Sequence, residues 1–168
     1  SSINTSYAAT YANWLKVYDS SINSQLWIPS SGHMAGQLLL SEQLTYPWDP
    51  VGGRKKGILT QVNDIALKPT DKEEGQLYKI NLNPIKYTPT DGFVINGQKT
   101  LQTKPTAFDR INVRRTFLYL EKIVKDTLKY FIFKPNSLHT RIQIVNTITP
   151  IFELAKTSSA RPAIISIS

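Results

Sequence analysis

The chain has no cysteine, which excludes disulfides and thiol chemistry and fits synthesis in a reducing compartment. It has two histidines, His33 and His139, and neither has other ligand types around it at metal spacing, which argues against a zinc site. Each reads as a surface or helix-end histidine. No apolar run approaches the length needed to span a bilayer, and no secretory signal is evident. Serine is plentiful, yet no Gly-x-Ser-x-Gly elbow occurs. The glycine-containing basic loop at 46–57 lacks the Gly-Lys-Ser/Thr ending of a phosphate loop, and no dinucleotide fingerprint is present. Asp91 belongs to a turn and Asp109 to a helix start, so they do not form a carboxylate pair. An enzyme is therefore the weakest class, and no catalytic residue, cofactor or metal ligand is assigned. Internal repeats and low-complexity segments are also missing.

What is present is a chain of 168 residues, long enough for one domain with a sizeable core, with 40% hydrophobic residues and a net charge of +8. That balance suits an anionic partner, whether nucleic acid, a lipid surface or an acidic protein face. The chain is organised around residues 108–130, which read as one amphipathic helix. At about 100° per residue, Val113, Phe117, Leu120, Val124 and Leu128 share a stripe flanked by Ile123. Arg110, Arg114, Arg115, Lys122, Lys125 and Lys129 lie opposite, interrupted mainly by Glu121, Asp126 and Leu118. A basic face this dense repels itself and is stabilised by an acidic partner. The plainer alternative is a solvated face.

Around that helix, aromatic alternation over 7–18 predicts a strand, and 19–24 a turn. Residues 26–29 are a short apolar piece. Ser30 or Ser31 is placed as the cap of a helix running to about 44, with Gly32, Ala35 and Gly36 on one side as a packing surface. Residues 46–57 read as a basic exposed turn without regular structure. Strands are expected at 62–67, 85–87 and 93–96, and Asp91-Gly92 supplies the turn before the last. Asp71 is expected to cap a short helix. Residues 130–134 are a buried-strand candidate, followed by a turn at 135–137. A second helix over 138–155 has Ile142, Val145, Ile148, Phe152 and Leu154 near one side and a kink or break at Pro150. Residues 162–168 read as a terminal strand. The fold class is α/β (α+β): a mixed sheet against two long helices, with a terminal strand able to augment a neighbouring subunit's sheet.

Asp91 through Leu101 (DGFVINGQKTL), then Lys104 through Lys122 (KPTAFDRINVRRTFLYLEK), resemble the C-terminal core of contractile tail sheath proteins of myovirus-type phages. The matching pieces are Gly97-Gln98-Lys99-Thr100, the helix signature from Asp109 to Arg115, Phe133-Lys134-Pro135-Asn136, the Pro29-Ser30-Ser31-Gly32 entry into a helix ending in Ala35-Gly36, and Asn83-Pro84-Ile85. They run in the family's order from about 7 to 155. The chain departs from the family near Thr157, where strand-forming residues are expected and a numbering gap is suspected. Residues 1–168 are accordingly expected to be one core domain of a longer multidomain chain.

The resemblance implies a non-enzymatic structural subunit. Such subunits stack as hexameric rings around a tail tube and contract to drive it through the host envelope. The implied partners are further copies, the tube protein, and baseplate and tail terminator proteins, without nucleic acid or stable membrane association. The implied location is the virion tail, assembled in the host cytoplasm. Arg114, Arg115, Lys122, Lys125 and Lys129 are candidates for tube binding, and Ala163, Ile164, Ile165, Ser166 and Ile167 for strand exchange between subunits. A sheath subunit of a related injection machine (bacteriocin or type VI-like secretion) is the alternative, and a basic nucleic-acid-binding domain a remote one.

Overall fold

The computed structural model describes residues 3–157. The N-terminal half is built on β1 (Thr10–Tyr11), β2 (Trp14–Asp19), β3 (Ser24–Pro29), α1 (Ser31–Leu44), α2 (Gly53–Lys56) and β4 (Asp64–Ile65). Then come α3 (Asp71–Lys79), β5 (Leu82–Asn83), β6 (Ile85–Thr88), β7 (Gly92–Ile95), α4 (Ile111–Leu128) and α5 (Leu138–Thr157). The α/β class holds, but the strands form three small sheets in place of one mixed sheet: parallel β1–β5, antiparallel β3–β2–β4, and the hairpin β6–β7. The expected strand over 7–18 is interrupted at Asn13, whose φ of 113° breaks the extended path. The Asn13 side chain bridges the break, donating to Leu67 O (2.7 Å) and Ile85 O (3.2 Å) and accepting from Leu67 N–H (2.7 Å).

The cores are two. Leu15, Met34, Val51, Leu59, Val62, Ile65, Ile85 and Ile95 pack beneath the sheets. Trp48, Leu120 and Ala155, with Tyr119 and Ile151, join α4 and α5 to the 46–57 loop. That loop departs from the expectation of an exposed turn. Trp48 is buried, stacked on Tyr46 at 4.8 Å and edge-on to Tyr119 at 5.9 Å. Residues 53–56 make one helical turn, and Lys56 pairs with buried Asp49 at 2.5 Å. The turn starts at Gly53, whose φ of +75° suits glycine.

Other local expectations are corrected by partners the sequence does not display. The α3 cap is Thr70, not Asp71: its hydroxyl accepts from Glu73 N–H, and Glu73 bonds back to Thr70 N–H, a capping box. Ser30 precedes α1 without a side-chain cap bond. Gly32 and Gly36 do not form a packing surface, since a methyl group added at either would meet no atom within 4 Å. Residues 130–134 are not a buried strand. A 3-10 turn over Lys129–Phe131 runs on into a turn at 132–133, with Tyr130 and Ile132 exposed and Phe133 fully so. α5 continues through Pro150 without a break, and Ser137 caps it by accepting from Thr140 N–H at 3.2 Å. Its buried residues are Thr140 and Ala155, and Ala155 packs with Leu120 of α4. Ile142, Val145, Phe152 and Leu154 remain exposed, because the described residues place no element over them.

Candidate interaction surfaces

α4 is positioned by a backbone hub in which the separate sequence motifs meet. Asn83, fully buried, donates to Thr10 O (3.0 Å) and Lys99 O (2.8 Å) and accepts from Lys99 N–H (2.6 Å). Gly97 lies against it so closely that an added Cβ would sit 2.7 Å from Asn83 Oδ1 and 2.8 Å from its Cα. Thr100 donates to Phe108 O at 2.9 Å, its N–H to Asp109 O at 2.8 Å, and Ile111 N–H to Gln98 O at 3.0 Å. Asn83-Pro84-Ile85 and Gly97-Gln98-Lys99-Thr100 are thus one device: they tie β1, β5 and the start of α4 together. Lys99 also donates to Tyr78 O at 3.1 Å, so it serves this junction.

The basic face of α4 divides along its length. At the N-terminal end, Arg114 is held between the rings of Tyr7 (4.3 Å) and Phe108 (4.1 Å) and donates to Ser6 Oγ. Arg115 donates to Leu38 O (3.4 Å) and pairs with Glu42 (3.2 Å), its side chain only 18% exposed. Arg110 reaches the Tyr78 hydroxyl. At the C-terminal end Lys122 and Lys125 are exposed, and Lys129 pairs on the surface with Asp126 at 2.7 Å. The hydrogen bond and charge of Lys129 hold the Asp126 carboxyl below the usual carboxylate range, and Asp126 in turn raises Lys129. The five candidate tube-binding residues therefore share a helix side, but two are engaged inside the chain. The candidate strand-exchange residues, Ala163 to Ile167, lie outside the described residues, as does the suspected gap after Thr157.

Two surfaces escaped the sequence reading. A groove of about 670 Å³ runs between residues 6–14, α1 and α4, with Met34, Leu38, Ile111 and Leu118 as its apolar lining and Arg114 and Arg115 at its edge. Burial raises the pKa of Tyr11 on this wall, and Arg115 opposes the rise. On the hairpin β2–β3, Trp14, Tyr18 and Trp27 are exposed, with Lys16 over the Trp27 ring at 5.7 Å. The register Lys16↔Trp27 and Tyr18↔Gln25 puts these side chains on one outer face. Both surfaces depend on strand register and distant segments, so helix periodicity carried no signal of them. Among the described residues no group of three acidic, histidine or cysteine side chains could hold a metal, and no helix is long and apolar enough to cross a membrane.

This architecture, small sheets tied through one hub to a basic helix and the helix packed on it, is the fold of contractile-sheath subunits. The structure superposes on the sheath complex of an extracellular contractile injection system, PVC, in its contracted state with a TM-score of 0.83 and 23% identity, covering 94% of this chain and 42% of that one. Against the contracted helical sheath of the anti-feeding prophage the TM-score is 0.80 at 23% identity, covering 92% and 42%. No family model matches the sequence. In sequence the chain is a relative of the tail sheath proteins of T4-like phages. It is 35% identical over 139 residues to the tail sheath protein of Vibrio phage KVP40 and 32% over 139 residues to that of Enterobacteria phage T4, each alignment covering 83% of this chain. The match to the tail sheath protein of Salmonella phage ViI is 32% over 146 residues, or 87% of this chain. The chain spans about a fifth of the length of these relatives, 21–23%.

Proposed function

We propose that this chain is the core domain of a longer subunit of a contractile phage tail sheath. Its subunits polymerise as stacked hexameric rings around the tail tube and contract to drive the tube through the host envelope. The subunit acts mechanically, without catalysis or cofactor, in the virion tail after assembly in the host cytoplasm, where it meets tube, baseplate and terminator proteins. The observation that carries this reading is the 35% identity to a phage tail sheath protein over 83% of the chain.

The exposed apolar side of α5 and the fully exposed Phe133 support it, since bare apolar surface of this kind marks contact with the rest of a longer subunit or with neighbouring subunits. Tube attachment falls first to Lys122, Lys125 and Lys129, the solvent-facing end of the α4 basic face, with Arg114 and Arg115 reachable only through the groove edge. Exposed ion pairs contribute about 0–1 kcal/mol each. That weakness suits contacts that must be released together on firing. Strand exchange by Ala163 to Ile167 requires an open receiving edge, and β3, whose only strand partner among the described residues is β2, offers one.

Electron microscopy of the full-length protein with and without its tube tests the reading. Tubes of stacked six-fold rings are expected, and Lys122→Glu with Lys125→Glu should prevent assembly on the tube. A full-length protein that stays monomeric and binds DNA in a salt-sensitive way would overturn it. A sheath of a related injection machine is the second reading, favoured by the fold match to the PVC sheath. Gene neighbourhood separates the two.

A further inference from the structure

The sequence holds ten asparagines, and only Asn96 is followed by glycine. Such a pair is chemically labile, because no Cβ on the second residue hinders attack by its backbone nitrogen on the asparagine side chain. The fold leaves both partners of that reaction open. Asn96 directly follows β7 and is exposed. With Gly97 it lines an open hollow of about 470 Å³ that also takes in Glu74, Tyr78 and Gln98. The Gly97 N–H meets no acceptor among the described residues, so no hydrogen bond has to break before it reacts. The glycine is required by the fold itself, since a Cβ at 97 would sit 2.7 Å from Asn83 Oδ1.

We infer that Asn96 is a site of spontaneous deamidation whose product loosens the hub. The Gly97 nitrogen gives its proton to solvent base and bonds to Asn96 Cγ. The bond from Cγ to Nδ2 breaks, and Nδ2 leaves as ammonia with a proton from water. The resulting five-membered imide takes up one water. Opening at Cγ gives aspartate, and opening at the backbone carbonyl gives isoaspartate, with the chain running through Cγ. Water is consumed, ammonia is released, and nothing is oxidised or reduced.

The surroundings make either product costly. Asn96 Nδ2 donates to Glu74 Oε2 at 3.1 Å, and a carboxylate in its place sets like charge against like. Glu74 is buried, and its other oxygen already lacks a partner. Lys86 is the cation at hand, 3.0 Å from Glu74 and 3.6 Å from Asp71, and it would then face three acids. Isoaspartate also adds a carbon to the main chain between two fixed points. One is the Asn96 N–H on Pro84 O at 2.9 Å, and the other is Gly97 packed against Asn83.

The test incubates the 168-residue chain at mildly alkaline pH, with and without guanidinium chloride, and follows tryptic peptides by mass spectrometry. Cleavage after Lys86 and Lys99 isolates Asn96 in the peptide 87–99. In the folded chain Asn96 should convert at least tenfold faster than any other asparagine, to a mixture of aspartate and isoaspartate. Hydroxylamine should cut the ageing chain between 96 and 97 by trapping the imide. The site is overturned if another asparagine leads, or if Asn96 stays intact in the folded chain while the unfolded chain converts. Conversion to aspartate alone, without hydroxylamine cleavage, overturns the imide route. Asn96→Asp should lower the denaturation midpoint, and by less when Glu74→Gln is also present. An equal drop in both backgrounds, or none, overturns the assigned consequence.

Discussion

Replacing Asn83 with alanine should be among the most damaging single changes outside the apolar cores. The side chain is fully buried and makes three hydrogen bonds, to Thr10 O, Lys99 O and Lys99 N–H, at 2.6–3.0 Å. Truncation leaves one N–H and two carbonyls without those partners. At about 1–3 kcal/mol for a strongly orphaned donor and less for carbonyls, the loss is about 3–5 kcal/mol. Domains are stable by about 5–15 kcal/mol, so this is a large fraction of the whole. In a chain of this length it corresponds to a fall in Tm of about 10–15 °C. Urea denaturation followed by circular dichroism should show a lower midpoint at an unchanged slope. Asn83→Asp separates hydrogen bonding from volume: it keeps the acceptor for Lys99 N–H but sets a carboxylate against two carbonyls. It should be at least as destabilising at neutral pH and recover as pH falls and the carboxyl is protonated. A loss under about 1 kcal/mol for Asn83→Ala would refute the hub, since a surface-like substitution costs that little.

Gly97→Ala places a methyl 2.7 Å from Asn83 Oδ1 and should cost about 1–3 kcal/mol, with a non-additive double variant alongside Asn83→Ala in a denaturation cycle. Thr70→Ala removes the capping box and should cost about 1 kcal/mol, read by denaturation and by faster amide exchange in the first turn of α3. Trp48→Ala should cost about 3–5 kcal/mol, because the buried indole joins the 46–57 loop to α4 and α5. The lowered Asp126 carboxyl contributes stability that is present above its unfolded pKa and lost as pH falls through its folded value. The raised Lys129 contributes stability present below its unfolded pKa and lost as pH rises through its folded one. Nuclear magnetic resonance titration of Asp126 before and after Lys129→Ala should show its pKa return toward the usual carboxylate range.

The sequence by itself determined the elements whose causes are local. The 3.6-residue period marked α4, Asp91-Gly92 marked the β6–β7 turn, and the turn at 135–137 marked the start of α5, because each signal lies within a few residues of its effect. The motif pieces were legible as well, but as a series rather than as a mechanism. Only the tertiary structure decided that Asn83 holds Lys99, that Trp48 anchors the loop, and that residues 130–134 stay outside any sheet. It also decided the fate of the basic face. Arg114 meets Ser6 and Arg115 meets Glu42 across 108 and 73 residues of chain, while Lys122 and Lys125 stay exposed and act on the neighbouring Asp126 only through their charge. Helical periodicity states which side a charge is on. Whether that side is covered depends on segments folded back from far away in the chain, and no local pattern encodes them.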